Sequence, residues 1–343
     1  MKLRPRYGAS PMQSSSRETV YSRTRLRVLI ILLALGAAEL VLSAAQAKAP
    51  LNLDVLARDG YGMVRISRPL PNILLVRGNI NGRDASLILD TGWGADGISL
   101  DSSFAMSLNL PTQALKGHGM SVSGARMDFK GGVAGLVVLG NVQLKGVPLL
   151  VGSIGALKNE QVRRTVGASG FVSAGFLHTN SASIDLQNLC LYLRPPGKGR
   201  RVQLGPALKA VGLSEVPFTR VGHNNLVVDV EINGARAKMF LDTGAYLTGV
   251  DKRFAAQAKI NGYDSRIMGI DAAGVISQKQ LTRVGSFKIG GVPVNVRDLT
   301  ITQYSFYSLT GGKVVGLLGM DVLGQNWGII DFGQQKLYIA SAK

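Results

Sequence analysis

The chain has 343 residues and a formal net charge of +18, with 43 glycines, 6% aromatic residues, three histidines and one cysteine. That length admits two domains with ample buried core, and abundant glycine with few aromatics suits a β-rich chain of strands and turns. A lone cysteine excludes an intrachain disulfide, and three scattered histidines without a cysteine partner argue against a structural zinc site. Flanked by Leu189 and Leu191, Cys190 reads as a core residue.

The charge is unevenly placed. Residues 1–27 carry seven Lys/Arg against one acid, while from Pro50 onward 31 basic residues face 19 acidic ones. A basic surface can attract nucleic acid, anionic lipid or acidic peptides. No RNA-binding motif or basic–aromatic interleaving accompanies it, so the basic face reads as solvated and no nucleic-acid partner is expected.

Residues 28–38 form an unbroken apolar run, which Glu39 interrupts before a second small and apolar stretch ending at Ala49. Two readings of residues 1–49 are open. One is a secretory signal with Ala45-Gln-Ala47 as its cleavage site, for which Met12 is an alternative start. The other is an uncleaved anchor, with residues 28–47 associated with the membrane and the basic segment cytoplasmic. Both expect a periplasmic or exported folded part. Residues 50–71 show little periodicity and read as a lead-in.

A first lobe is expected over residues 72–195. Ile80-Asn81-Gly82 supplies a hairpin turn, and an apolar run then ends in Asp90-Thr91-Gly92. Such a run bounded by Gly reads as a buried strand, with the carboxylate held rigidly at the core edge. Asp101 follows as the N-cap of a short helix bearing Phe104, Ala105 and Leu108 on one face. A Gly-marked hairpin has its tip near Ser123-Gly124, another contains Leu144 to Pro148, and the lobe closes through Gly170 to Ser173 and on to Leu193. Residues 196–216 read as a linker with a short helix.

Residues 217–343 repeat this plan at an offset of 152 residues. Residues 224–234 align with 72–82, and Asp242-Thr243-Gly244 aligns with Asp90-Thr91-Gly92. Asp251 caps the matching helix with Phe254, Ala255 and Ala258, and the hairpin tip falls at Ala273-Gly274. Ile289 to Pro293 matches Leu144 to Pro148. The first copy has two extra residues between its Asp-Thr-Gly and its capping Asp. Asp185 and Asp331 are also paired by the repeat, but their turn-forming surroundings mark them as structural.

Two copies of hydrophobic-hydrophobic-Asp-Thr-Gly, each with an upstream hairpin and a later apolar-apolar-Gly-like element, resemble the aspartic peptidases, pepsin-like and retropepsin-like together. The pattern is most similar to bacterial exported proteins with two retropepsin-like units in one chain, and covers roughly residues 72–340. The resemblance implies a mainly β, bilobal pepsin-like aspartic protease fold of two related retropepsin-like β-barrel lobes, each giving one aspartate to a shared cleft. It implies an aspartic endopeptidase acting on a peptide or protein, with no metal and no cofactor, as a monomer with an intramolecular pseudo-dimer. The alternative assembly pairs each lobe with its counterpart in a second chain.

In this scheme Asp90 and Asp242 are catalytic. Two carboxylates a few ångströms apart cannot both ionise cheaply and share a proton. The ionised one takes a proton from water while the other donates toward the carbonyl oxygen. Gly92 and Gly244 let the backbone turn tightly enough to aim amide donors at the carboxylates. The resemblance further implies that Thr91 and Thr243 bond across the pseudo-dyad, and that hairpin flaps at Ser123, Gly124, Ala273 and Gly274 cover an extended substrate. No Gly-x-Ser-x-Gly elbow supports a serine hydrolase, and nothing around the carboxylates resembles a sugar site.

Three features depart from the family pattern. Trp93 follows the first Gly where small residues are usual, Ser173 stands opposite Gly319, and neither flap tip shows an obvious Tyr. The Trp93 and Ser173 departures favour the alternative function, a non-catalytic peptide-binding or envelope scaffold protein that retains the fold; the intact aspartates oppose it. Acid-adapted members usually carry Ser or Thr directly after Asp-Thr-Gly, where Trp93 and Ala245 stand here. An optimum in weakly acidic to near-neutral conditions is therefore expected, unless Ser99 or Thr248 replaces the missing hydroxyl.

Overall fold

The computed structural model describes residue 56 and residues 59–195, 197 and 202–342. The signal or anchor read over residues 1–49 lies outside the described residues. Among the described residues, no helix is long and apolar enough to cross a membrane.

Each lobe grows from one hairpin. Strands Ile73–Ile80 and Arg83–Asp90 pair around Asn81-Gly82, and Asn225–Ile232 and Ala235–Leu241 pair around Asn233-Gly234. In both turns the Asn and the Gly have positive φ (49° and 88°, 49° and 85°). That is the conformation two-residue hairpins favour, because its twist matches the flanking strands. The second strand of each hairpin is buried against a parallel neighbour. Arg83–Asp90 lies beside Gly170–Ser173 with Ser173 opposite Asp90, and Ala235–Leu241 beside Val314–Leu318 with Leu241 opposite Leu318. Beyond Asp-Thr-Gly the chain crosses over and returns as Ile98–Asp101 or Gly249–Asp251, antiparallel to the far side of that neighbour. Both aspartates thus emerge where a buried strand ends.

The lobes share one hydrophobic core, running from Val64 and Leu89 through Leu241 to Ile339. They also share a sheet. Ser183–Asp185 of the first lobe pairs antiparallel with Ile329–Asp331 of the second, with Ser183 opposite Asp331. Cys190–Leu193 and Lys336–Ala340 extend the sheet on either side. Asp185 and Asp331 each accept two backbone N–H groups of the turn that follows, the structural role expected of them. Cys190 is 3% exposed, in a satellite core with Tyr192, Leu208 and Tyr338.

Three features differ from the sequence reading. The supposed lead-in contains the strand Gly62–Leu70, which pairs with both Cys190–Leu193 and Ile73–Ile80. The end of the supposed linker, Leu213–Pro217, is its counterpart and pairs with Lys336–Ala340; the short helix expected there spans Gly205–Ala210. The second hairpin is also matched differently. Its turn in the first lobe is Gly140-Asn141, between Leu139 and Val142, equivalent to Gly290-Gly291 between Ile289 and Val292. Gly140 and Gly290 share a φ of 55°, whereas Gly146, with a φ of 65°, lies inside the strand Val142–Gly152 where the ladder skips a residue. The Leu144–Pro148 resemblance was therefore a likeness of composition only.

Candidate active site

The aspartates meet at the floor of a cleft of about 480 Å³ between the lobes. Asp242 is 7% exposed, and Asp90 opens a little more onto the cleft. Oδ1 of Asp90 accepts the N–H groups of Gly92 (2.9 Å) and Trp93 (3.0 Å). Oδ1 of Asp242 accepts those of Gly244 (2.8 Å) and Ala245 (3.0 Å). The two carboxyls lie close enough to interact directly. Burial, reinforced by the Asp242 charge, holds Asp90 well above the usual carboxylate range. Burial also raises Asp242, against the amide donors that favour its anion. The pair therefore retains a proton at a pH where isolated carboxyls have lost theirs.

The glycines serve a purpose other than the one expected. Neither Gly92 nor Gly244 has a positive φ. A Cβ on Gly92 would instead lie 2.4 Å from Cγ of Asp242, and one on Gly244 would lie 2.4 Å from Cγ of Asp90. Each glycine makes room for the opposite carboxyl, so close approach rather than turn geometry demands it.

Thr91 and Thr243, both fully buried, exchange hydrogen bonds across the pseudo-two-fold as the family resemblance implied. A second reciprocal pair was missed. Asn72 donates to the carbonyl of Tyr246 (2.9 Å), and Asn224 donates to that of Gly94 (3.0 Å) and to Asp96 Oδ1 (2.8 Å). Each ties the opposite lobe's Asp-Thr-Gly loop down. The signal was available, because Asn72 and Asn224 head the two aligned segments.

The hairpin tips also lie where expected. Gly124 and Gly274 turn them with φ of 90° and 89°, and both tips cross the cleft. The carbonyls of Ser121 and Val122 accept from Oγ (3.1 Å) and N–H (2.9 Å) of Ser305 in the second lobe. The carbonyl of Ala272, beside Ala273, accepts the N–H of Ala156 in the first (3.2 Å). Ser123 donates through its hydroxyl to Asp271 Oδ2 at 2.6 Å, joining one tip to the other.

The departures from the family pattern have local explanations. Trp93 stacks on Phe171 (ring centroids 5.0 Å), meets Phe129 edge-on (5.8 Å) and donates from Nε1 to Ser99 Oγ (2.7 Å). It forms part of the first lobe's wall. Ser173 caps the helix Ala174–Thr179, and its hydroxyl reaches the carbonyls of Ala95 (2.7 Å) and Gly97. The two extra residues of that loop leave room for it. In the second lobe the shorter loop presses on Gly319, where a Cβ would lie 2.8 Å from the Ala245 oxygen. Thr248 holds that loop instead, donating to Asp321 (2.6 Å) and accepting the Gly319 N–H (2.9 Å). With Ser99 engaged by Trp93 and Thr248 by Asp321, the paired carboxylates receive backbone donors, and among the described residues no hydroxyl, from the position after Asp-Thr-Gly.

Among the described residues, no group of three or more His, Cys, Asp or Glu side chains is placed to hold a metal ion. Two duplicated loops delivering paired carboxyls to one cleft can activate water against a carbonyl. The family model described as Aspartyl protease matches both halves of this arrangement, at residues 76–169 and 228–322, more than half of the chain. The chain belongs to the aspartyl protease family. Among curated relatives, DNA damage-inducible protein 1 of Neurospora crassa is 32% identical over 114 residues, 33% of this chain and 25% of that protein. Its namesake in Candida glabrata is 31% identical over 119 residues, 34% of this chain and 26% of that protein. The chain thus spans about a quarter of the length of these relatives. Among solved structures, an aspartic proteinase from Irpex lacteus aligns with a TM-score of 0.48 and 12% identity, covering 82% of this chain and 98% of its own.

Proposed function

We propose that the chain is an aspartic endopeptidase. Water held between Asp90 and Asp242 loses a proton to the ionised carboxylate and attacks the peptide carbonyl, while the protonated partner donates to the carbonyl oxygen. The tetrahedral intermediate then collapses, expelling the amine as it takes up a proton from the dyad. The observation that carries this reading is the delivery of two carboxyls to one cleft floor, each set against the other lobe's loop glycine and each held by two amide donors. The flap tips over the floor support binding of an extended peptide beneath them. Since both aspartates come from one chain, the active species in this proposal is a monomer.

The test is incubation of the purified folded region with a mixed peptide library across pH, beside Asp90→Asn and Asp242→Asn. Internal cleavage by wild type and none by either variant is the expected result. Peptide binding without cleavage would establish the scaffold alternative.

We further propose that the folded region is exported, on the basic segment, the apolar run and Ala45-Gln-Ala47. Fusing residues 1–60 to a reporter that is active only after export checks this. A cytoplasmic reporter would overturn it, and export of the full-length chain in membrane-bound form would select the anchor.

A further inference from the structure

The pseudo-two-fold sets the residues of the cleft walls in one-to-one correspondence. Trp93 and Ala245 each follow Asp-Thr-Gly. Phe171 and Leu317 lie in register with Ile88 and Phe240, two residues before their aspartates. Phe129 and Lys279 each lie five residues beyond a flap glycine. Gly152 and Thr302 lie opposite the helix-capping Asp101 and Asp251.

On the first lobe this quartet is closed. Trp93 is packed between Phe171 and Phe129, and a Cβ on Gly152 would meet the Phe129 ring at 2.4 Å. On the second lobe the same positions hold Ala245, Leu317, Lys279 and Thr302, all lining the cleft. With neither the indole nor the phenyl ring at these positions, the cleft wall there carries an ammonium group.

Lys279 Nζ donates to Thr302 Oγ1 at 3.1 Å, and an ammonium group has three donors. Among the described residues it takes part in no ion pair. Burial depresses its pKa, and the one countercharge acting on it is Asp271. That carboxylate is already committed, Oδ2 to Ser123 and Oδ1 to the N–H of Val275 (2.9 Å). A half-buried cation with a single neutral partner favours an incoming anion, and a charge-assisted bond formed there is stronger than one at the surface.

We propose that the cleft wall around Lys279 is a subsite for a carboxylate side chain, so that the preferred peptide carries Asp or Glu at one position. The equivalent wall is occupied by Trp93 and Phe129, and the pseudo-two-fold exchanges the two sides of the scissile bond. Charge selection therefore operates on one side only. On the first lobe, Ile73, Ile88, Leu157, Val162 and Val166 offer an apolar wall. Where cleavage is the readout, this inference rests on the peptidase reading; its binding readout does not.

The test uses peptides identical but for Glu or Gln at one position, scanned through the sequence. It compares kcat/KM on the wild type and Kd on the Asp90→Asn protein. Glu is expected to exceed Gln by about tenfold at one position, as a charge-assisted bond should. Lys279→Met should bring the ratio to about one, Lys279→Arg should restore it, and Lys279→Glu should turn the preference toward Lys at that position. A wild type indifferent to Glu throughout, a ratio that survives Lys279→Met, or no peptide binding at all would overturn the subsite. If the wild type cleaves nothing, the peptidase reading falls, and the Kd ratio still decides the subsite.

Discussion

Thr91 and Thr243 hold each other's loop through both ends of the hydroxyl. Oγ1 of Thr91 accepts the Thr243 N–H (2.9 Å) and donates to the carbonyl of Leu241 (2.8 Å). Oγ1 of Thr243 accepts the Thr91 N–H (3.1 Å) and donates to that of Leu89 (2.7 Å). Thr91→Val keeps the shape but strands a buried donor and a buried acceptor. A loss of about 2–4 kcal/mol is expected in urea denaturation, while Thr91→Ser should stay within about 1 kcal/mol of wild type. Turnover should fall with the Val variant, because the loops that aim the carboxyls are no longer tied.

Asp90→Asn and Asp242→Asn should each lower kcat at least about a thousandfold, since one shared proton needs both carboxyls. Stability should move the other way. Both carboxyls have folded-state pKa values above their unfolded ones. Their favourable contribution is complete below the unfolded pKa and is lost as pH rises through the folded values. An amide avoids that loss, so each variant should melt higher than wild type at pH 7 and show little gain at pH 3. A lower melting point at pH 7 would contradict the burial argument.

The pH–rate profile should peak in weakly acidic to near-neutral conditions. Activity needs the dyad to hold one proton, and both groups are raised, so the alkaline limb should lie above the ordinary carboxylate range. In Ala245→Ser a new hydroxyl beside Asp242 would favour the anion and move that limb to lower pH, by about one unit or less. A wild-type optimum in strong acid, or an alkaline shift in the variant, would overturn this.

Burial raises Asp321 to about 6, against the donors Thr248 and Val322. Its contribution is present below the unfolded carboxylate pKa and is lost as pH climbs toward and through about 6. All three bonds fall on Oδ1, which an asparagine retains. Asp321→Asn should therefore flatten the stability–pH curve between about pH 4 and 7, gaining at most about 3 kcal/mol at the upper end. Asp321→Ala should destabilise at every pH and loosen the loop after Gly244.

Ser173 and Gly319 should not be interchangeable. Ser173→Gly removes the hydroxyl that restrains the longer loop and should cost about 1–2 kcal/mol by denaturation. Gly319→Ser should cost more, because its Cβ meets backbone of residues 245–248. A double exchange that restored stability would show that loop length does not set the choice.

The paired aspartates, the capping residues Asp101 and Asp251 and the flap glycines were legible because each is a local signal repeated in the same order, at an offset of 152 before the longer loop and 150 after it. Strand Gly62–Leu70 was obscured, since half of it serves the sheet shared by the lobes and Pro69 interrupts its run. The repeat nonetheless reached it. Val64 and Ile66 stand 152 residues before Val216 and Phe218, and all four are buried. The need for Gly92 and Gly244 could not be read from one loop, because the atom that excludes a side chain belongs to the other lobe. The repeat pairs Lys279 with Phe129 by position, but the pairing gains meaning only when the fold shows what each does to its own side of the cleft wall.

The shared sheet also governs when the cleft can exist during synthesis. Ile329–Asp331 must emerge before it can pair with Ser183–Asp185, and Lys336–Ala340 before it can receive Leu213–Pro217. A nascent chain that has released its first lobe carries Asp90 without its partner, and one that has released Asp242 still lacks the strands that fasten the lobes. Long-range pairing of this kind is slow to form. Assembly of the two-carboxyl cleft is thereby deferred until the strand ending at Ala340 has left the ribosome, a delay written into strand order.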